Sequence, residues 1–162
     1  ELIETFGKKY EEKWLNMMRD KLGLLGEDKK DKFLIVDLLT WMHQNKVDYT
    51  NTFCHLMNIE VDQNEKFENI NFQNWKKRWQ ERLKINKSLQ EKNIKLMRSV
   101  NPLVIPRNHK VEEALEISKR GDFEYVNQLI KVLKEPYSQQ KNILEYQIPS
   151  NFNENYQTFC GT

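Results

Sequence analysis

Apolar side chains recur every three to four residues along most of this chain, which is the period of an α-helix. The first such stripe predicts a long helix that ends near Gly23. Its members are Leu2, Phe6, Tyr10, Trp14 and Met17 or Met18. Because a one-sided apolar stripe usually faces a core, we expect these side chains to be buried.

A denser apolar run predicts a second helix from about Lys29 to Gln44, with Asn45 as its cap. We expect this helix to be largely buried because large side chains are so frequent in it. They are Phe33, Leu34, Val36, Leu38, Leu39, Trp41 and Met42.

Asp48 is a suitable N-cap for a short third helix, since its carboxylate can accept from the first free amides. The inner face of that helix is predicted to be Phe53, Leu56 and Met57. The polar stretch from Asn58 to Asn71 then predicts a loop with room for one helical turn. Its expected anchors are Val61, Phe67 and Ile70.

The segment from Phe72 to Lys87 predicts a helix with apolar residues on one side and cations on the other. The apolar set is Phe72, Trp75, Trp79 and Leu83, and the cations expected to be exposed are Lys76, Lys77, Arg78, Arg82 and Lys84. Basic residues interleaved with tryptophan can bind single-stranded nucleic acid. Helical spacing places the aromatics on one face, however, so we favour a core helix with a solvated basic side.

Two prolines divide the second half of the chain. A helix from Ser88 to Val100 should stop at Asn101, because Pro102 and Pro106 fix φ and disfavour helix at the residue before each of them. Another helix should begin near Arg107, with Val111, Ala114, Leu115 and Ser118 at helical spacing.

Gly121 is expected to end that helix, because glycine adopts the left-handed conformation at little cost. Asp122 can then accept from the amides of a new first turn. The helix that follows should run to Pro136, with an apolar set of Phe123, Val126, Leu129, Ile130 and Leu133.

Beyond this point residues 137–162 lose any clear period. Large side chains lie scattered among Gln, Asn and Ser: Tyr137, Ile143, Leu144, Tyr146, Ile148, Phe152, Tyr156 and Phe159. We interpret this segment as an extended tail that is docked by its aromatics. The sequence therefore predicts one all-α region over residues 1–162, a bundle-like array of about six to seven helices with an irregular C-terminal tail.

The charge balance and the length of the apolar runs argue against several kinds of binding partner. The 26 basic and 24 acidic residues nearly balance, which argues against nucleic acid or an anionic membrane as a partner. No apolar run approaches the ~20 residues that span a bilayer.

Cys54 and His55, taken with His43 and Asp48, fit no standard ligand spacing, so no metal site is expected. Cytoplasmic location is the expectation, with a targeting segment upstream of Glu1 as the open alternative.

Several motifs together resemble the C-terminal part of the selenoprotein O family, also called the YdiU family. They are Met-x-x-x-Asn-Pro-x-x-x-x-Arg-Asn from Met97 to Asn108, Gly-Asp-Phe at Gly121, and a cysteine near the C-terminus, Cys160. The likeness continues upstream in KLGL at Lys21 and VDYTNTF at Val47.

The resemblance implies the C-terminal part of the larger lobe of a kinase-like fold. Members of the family transfer AMP from ATP to protein hydroxyl groups with Mg²⁺. Family members are several times longer, so we expect the chain to be a fragment whose missing N-terminal catalytic portion is its main partner. The five scattered glycines form no phosphate-binding loop. We therefore expect no catalysis and no cofactor in this chain itself, with ATP and Mg²⁺ belonging to the full-length parent.

Three residues are the candidate site. Cys160 is the redox candidate, because the family places a cysteine or selenocysteine at this position and a thiol near a chain end is accessible for exchange. Arg107 and Asn108 either cap and pair locally or orient the nucleotide-binding core, and we favour the local role. A Cys160–His109 nucleophile and base pair is a weaker alternative, since no pattern brings the two together.

The sequence leaves a second class of function open. An autonomous helical module would bind a partner protein through one apolar groove. A fragment cut from an enzyme would instead expose the apolar surface on which the missing lobe packs, and it could dimerise through that surface.

Overall fold

The structure, a computed structural model, describes residues 2–61, 64–85 and 90–150, and within these ranges it is helical and contains no strand. The predicted all-α fold is confirmed. The helices are α1 (Leu2–Lys21), α2 (Asp31–Gln44), α3 (Tyr49–Leu56), a 3-10 helix (Asn64–Glu68), α4 (Ile70–Lys84), α5 (Gln90–Val100), α6 (Asn108–Ser118), α7 (Glu124–Lys134) and α8 (Leu144–Gln147).

The core lies where α2 and α4 pack on each other, with α1 against α2 and α5, while α6 and α7 form a second pair. Aromatic rings run through this core, and the Trp41 and Phe72 centroids are 4.6 Å apart. Trp75 Nε1 donates to Leu34 O at 2.8 Å and Trp79 Nε1 donates to Leu22 O at 2.9 Å. These buried indoles have no free face on which a base could stack.

Several predicted helix signals are confirmed. The Asp48 carboxylate accepts from Asn51 N at 2.8 Å as the N-cap of α3, and Asn45 caps α2. Gly121 has φ of +85° after the end of α6, and the Asp122 carboxylate accepts from Glu124 N at 2.9 Å. Local sequence therefore sets where these helices begin and end.

The prediction that the whole α1 stripe is buried is wrong for its first half. Phe6 is 69% exposed and Tyr10 is 62% exposed, whereas Met18 is 1% exposed. Among the described residues only the second half of α1 has helices packed across it, so Phe6 and Tyr10 stack on each other instead, with centroids 6.3 Å apart.

Other predicted core positions are also open to solvent. Phe33, Val36, Ile70, Leu115, Phe123 and Ile130 are exposed, although each lies in or beside an apolar run. The apolar side chains of α2 extend over more of its surface than α1 and α4 cover, so some of them stay exposed. The same holds for α7, whose apolar side is wider than its contact with the rest of the fold.

Arg82 is buried at 7% exposure, contrary to the prediction that it lies on the solvated side of α4. Its guanidinium donates to both oxygens of Asp31, at 2.7 Å from Nε and 3.2 Å from Nη2. Arg19 Nε donates to the same carboxylate at 2.9 Å. Burial by itself raises the pKa of Asp31, but the hydrogen bonds from Arg82, the Asp28 amide and Arg19 outweigh it and hold that pKa below its usual value.

None of the helices in the described ranges combines the length and the apolar character needed to cross a membrane.

Candidate functional site

The predicted site residue Arg107 lies in a partly buried polar network that joins α3 to the segment before α6. Its guanidinium makes a bidentate pair with Asp48, with Nη1–Oδ2 at 2.9 Å and Nη2–Oδ1 at 3.0 Å. Nη2 also donates to Asn51 Oδ1 at 3.3 Å. A bidentate pair fixes orientation as well as distance, so Asp48 both caps α3 and holds the start of α6.

The network extends to α8 through Gln147, which is 1% exposed. Asn51 Nδ2 donates to Gln147 O at 3.1 Å, and Gln147 Nε2 donates to Leu103 O at 2.8 Å. Leu103 N in turn donates to Pro136 O at 2.6 Å, just after α7. Four separate parts of the chain therefore meet at this network.

Lys21 and Asn101 close the network on the α1 side. Lys21 Nζ donates to Asn101 Oδ1 at 3.1 Å, and Asn101 Nδ2 donates to Lys21 O at 2.9 Å. The Lys21 ammonium also lies 5.0 Å from the Phe53 ring centroid. Burial lowers the pKa of Lys21, although its Coulombic interaction with Cys54 opposes the shift.

Cys54 lies at the centre of this region and is 0% exposed. Burial first, and the nearby Asp48 carboxylate second, raise the pKa of its thiol to about 12. Its sulfur is 3.9 Å from Gln147 Nε2. Because the thiolate is the reactive form, a thiol that stays protonated in a closed site is inert at neutral pH.

The arrangement can hold helices in place but offers little for chemistry. Arg107 is already neutralised by Asp48, so it has no free charge for a phosphate. The described residues contain no group of three or more His, Cys, Asp or Glu side chains that could hold a metal ion. Burial, followed by the charges of Lys110 and Arg107, lowers the pKa of His109.

One surface cavity of about 510 Å³ lies between α2 and α4. Both arginines in its wall are paired, Arg78 with Asp37 and Arg82 with Asp31. The wall also carries Asp28 and Glu81. This mixed charge does not favour a polyphosphate.

The structure brings only some of the predicted residues together. Arg107 pairs locally, and its action on a catalytic core stays a prediction. Asn108 is the first residue of α6 and is not its cap, since Arg107 is the N-cap and has the extended backbone of that position, with φ of −79° and ψ of 129°. Cys160, and with it the Cys160–His109 pair, lies outside the described residues.

Sequence reasoning missed the Asp31–Arg82 pair, although one signal was available. Arg82 lies three residues after Trp79 and seven after Trp75, so it continues the buried stripe of α4. A cation at a core-facing position indicates a buried carboxylate partner, since an unpaired buried charge is very costly.

Comparisons with known proteins find one family model that matches residues 1–134, described as protein adenylyltransferase SelO. Three relatives are each described as protein nucleotidyltransferase YdiU. Those of Pelagibacter ubique, Nitrosococcus oceani and Clostridium perfringens are 52%, 42% and 41% identical over 100%, 100% and 99% of this chain. The alignments cover 34%, 33% and 33% of those proteins, so the chain spans about one third of their length.

Proposed function

Since the chain belongs to the protein adenylyltransferase SelO family, we propose that it acts as the C-terminal helical region of an enzyme that transfers AMP from ATP to protein hydroxyl groups. ATP and Mg²⁺ bind in the catalytic portion of that enzyme and not in this chain. The helices described above brace that portion, and the enzyme works in the cytoplasm on protein substrates.

The observation that carries this proposal is the open aromatic face of the first half of α1, formed by Phe6 and Tyr10. These rings continue the stripe that becomes core at Met18, yet they are 69% and 62% exposed. Large apolar side chains left open on a helix face indicate a surface that another protein element covers. The unmatched two thirds of each relative supply such an element.

The network around Arg107 supports a bracing role. It fixes α3, α6 and α8 against the segment from Asn101 to Arg107 by buried and partly buried hydrogen bonds. Rigid elements hold a neighbouring site more precisely than loops do. Arg107 thereby orients the catalytic portion indirectly, through the helices that it positions.

The test uses the P. ubique relative, divided at the boundary of its match to this chain. The unmatched part is assayed for transfer of labelled AMP from Mg–ATP to protein, alone and after addition of this chain. We expect the chain alone to neither bind Mg–ATP nor transfer AMP, and its addition to raise the activity of the unmatched part.

A matched pair of variants makes this test specific. Phe6→Ala/Tyr10→Ala should reduce the stimulation at least tenfold, because burying one such ring contributes about 1.5–3 kcal/mol and 1.4 kcal/mol corresponds to a factor of ten. Lys8→Ala/Glu12→Ala, on the opposite side of α1, should leave it unchanged. Equal stimulation by both variants, or Mg–ATP binding by the chain alone, would overturn the proposal.

If the chain is instead an autonomous binding module, it will not stimulate the unmatched part at all. It will also remain monomeric at high concentration despite its open α1 face. Sedimentation of the chain alone therefore separates this alternative from the enzyme region that we propose.

A further inference from the structure

Gly7 lies inside α1, on the half of the helix whose aromatic face is open. Backbone geometry does not require a glycine there, since the described glycines with positive φ are Gly23, Gly26 and Gly121. Packing within the described part of the chain does not require it either, because a Cβ at Gly7 would have no atom of that part within 4 Å. A glycine in a helix interior is nonetheless destabilising relative to alanine, since it loses more backbone freedom on folding.

Gly7 continues the line of α1 residues that packs on the fold further along the helix. With 3.6 residues per turn, Gly7, Glu11, Trp14 and Met18 lie within an arc of about 60°. Met18 is buried, and Trp14 is half-buried against the core. Glu11 pairs with Lys32 of α2. This line is therefore the packing side of α1, and Gly7 extends it beyond the helices that the structure describes.

Two aromatic rings stand beside Gly7 on the helix surface. Phe6 precedes it, and Tyr10, three residues later, is its neighbour on the helix surface. Both rings are mostly exposed and stack on each other. Because no side chain fills the space next to them, the surface of α1 has a recess at Gly7. An apolar element that enters this recess can approach the backbone of α1 more closely than the usual distance of about 8–10 Å between packed helix axes.

The element that enters the recess belongs to the part of the enzyme outside this chain. The chain spans about one third of the length of its relatives, and the proposed function places the remaining portion on the open face of α1. On the basis of that function, we propose that an apolar element of the catalytic portion crosses α1 at Gly7. Its backbone lies against the glycine, and its side chains pack on Phe6 and Tyr10. Any side chain at position 7 would hold this element away.

The test compares this chain alone with a complete enzyme, the P. ubique relative in which the matching third is exchanged for this chain. Hydrogen exchange of the α1 amides measures how firmly the helix is held in each context. Without any substitution, the α1 amides should exchange more slowly in the complete enzyme, because the catalytic portion covers the open face there.

Gly7→Ala and Gly7→Leu place side chains of two sizes in the recess, and both residues form helix better than glycine does. In the chain alone each substitution should slow α1 exchange by up to about fivefold. In the complete enzyme each should speed it by about 5- to 150-fold, leucine more than alanine, because overpacking a close contact is destabilising. A change that acted only on α1 itself would have the same sign in both contexts.

Lys8→Ala is the matched control. Lys8 is next to Gly7 in the sequence but lies on the opposite side of α1 from Phe6, about 200° away. This substitution should change α1 exchange by less than about twofold in both contexts.

Three results would overturn the inference. If Gly7→Leu also slows exchange in the complete enzyme, no backbone lies close to Gly7, although the proposed function stands. If the unsubstituted α1 exchanges equally fast in both contexts, the catalytic portion does not cover the open face, and the proposed function fails as well. If α1 exchange in the chain alone slows as its concentration rises, a second copy covers the face.

Discussion

The buried pair between Arg82 and Asp31 should carry a large share of the stability of this fold. In Arg82→Met the Asp31 carboxylate, 0% exposed, loses two of its hydrogen bonds and keeps those from Arg19 and the Asp28 amide. Removing one partner of a buried pair costs about 3–5 kcal/mol, because the other charge stays buried with fewer hydrogen bonds to compensate it. A domain of ordinary stability has about 5–15 kcal/mol in total.

Arg78→Met is the matched control for this substitution. Arg78 is also on α4 and also pairs with an aspartate of α2, Asp37, at 2.8 Å. Its side chain and that of Asp37 are 53% and 48% exposed, however. Exposed pairs contribute about 0–1 kcal/mol, so this variant should be close to the parent.

Urea unfolding followed by tryptophan fluorescence measures both variants, since Trp41, Trp75 and Trp79 are buried in the core. With an m-value of about 2 kcal/mol/M, the midpoint of Arg82→Met should fall by about 2 M and that of Arg78→Met by less than about 0.5 M. Equal shifts for the two variants would refute the reasoning.

The pH dependence gives the same pair a second test. Folding lowers the pKa of Asp31, so its stabilisation is fully present above the unfolded value of about 3.9. It is lost as the pH falls through the lower folded value. The difference between parent and Arg82→Met should therefore be constant near neutral pH and shrink below about pH 4.

Gly23→Ala should lower the free energy of unfolding by about 2–3 kcal/mol, because Gly23 has φ of +65° and the new Cβ would lie 2.8 Å from Asn93 O. Gly121→Ala should cost only about 1 kcal/mol, because nothing lies within 4 Å of its new Cβ. Thermal unfolding compares the two variants, and equal losses of stability would contradict the close approach at Gly23. Arg107→Lys should lower the free energy of unfolding, measured in urea, by about 1.5–3 kcal/mol because lysine cannot make the bidentate pair with Asp48. The control Arg120→Lys, at an exposed position, should cause no measurable loss. If Arg107→Lys also caused no loss, the pair would contribute little to stability. A thiol reagent at pH 8 should react with one cysteine in the native chain and with two in denaturant, since Cys54 is buried and its thiol has a pKa of about 12. Rapid reaction of both cysteines in the native chain would show that the Cys54 thiol is accessible and contradict its burial.

The helices themselves could be predicted from the sequence because their signals are local. Asp48, Gly121 and Pro136 act on backbone groups within a few residues, and the apolar period identifies one face of each helix. The match to the SelO family confirms the resemblance drawn from the Asn-Pro and Arg-Asn motif and from the Gly-Asp-Phe start of α7.

The pairings could not be predicted, because they join residues that are far apart along the chain. Arg82 and Asp31 are 51 residues apart, and Arg107 and Asp48 are 59 residues apart. Periodicity also does not tell whether anything lies opposite an apolar face. Phe6 and Tyr10 have the spacing of core residues and are exposed all the same, since no described helix lies across them.

We propose that the open face of α1 binds the catalytic portion of a SelO family enzyme. Calorimetric titration of this chain into the unmatched part of the P. ubique relative measures that binding. We expect a one-to-one complex that Phe6→Ala/Tyr10→Ala weakens at least tenfold and that Lys8→Ala/Glu12→Ala leaves intact. A complex of the same affinity with all three chains, or no complex with any of them, would contradict it.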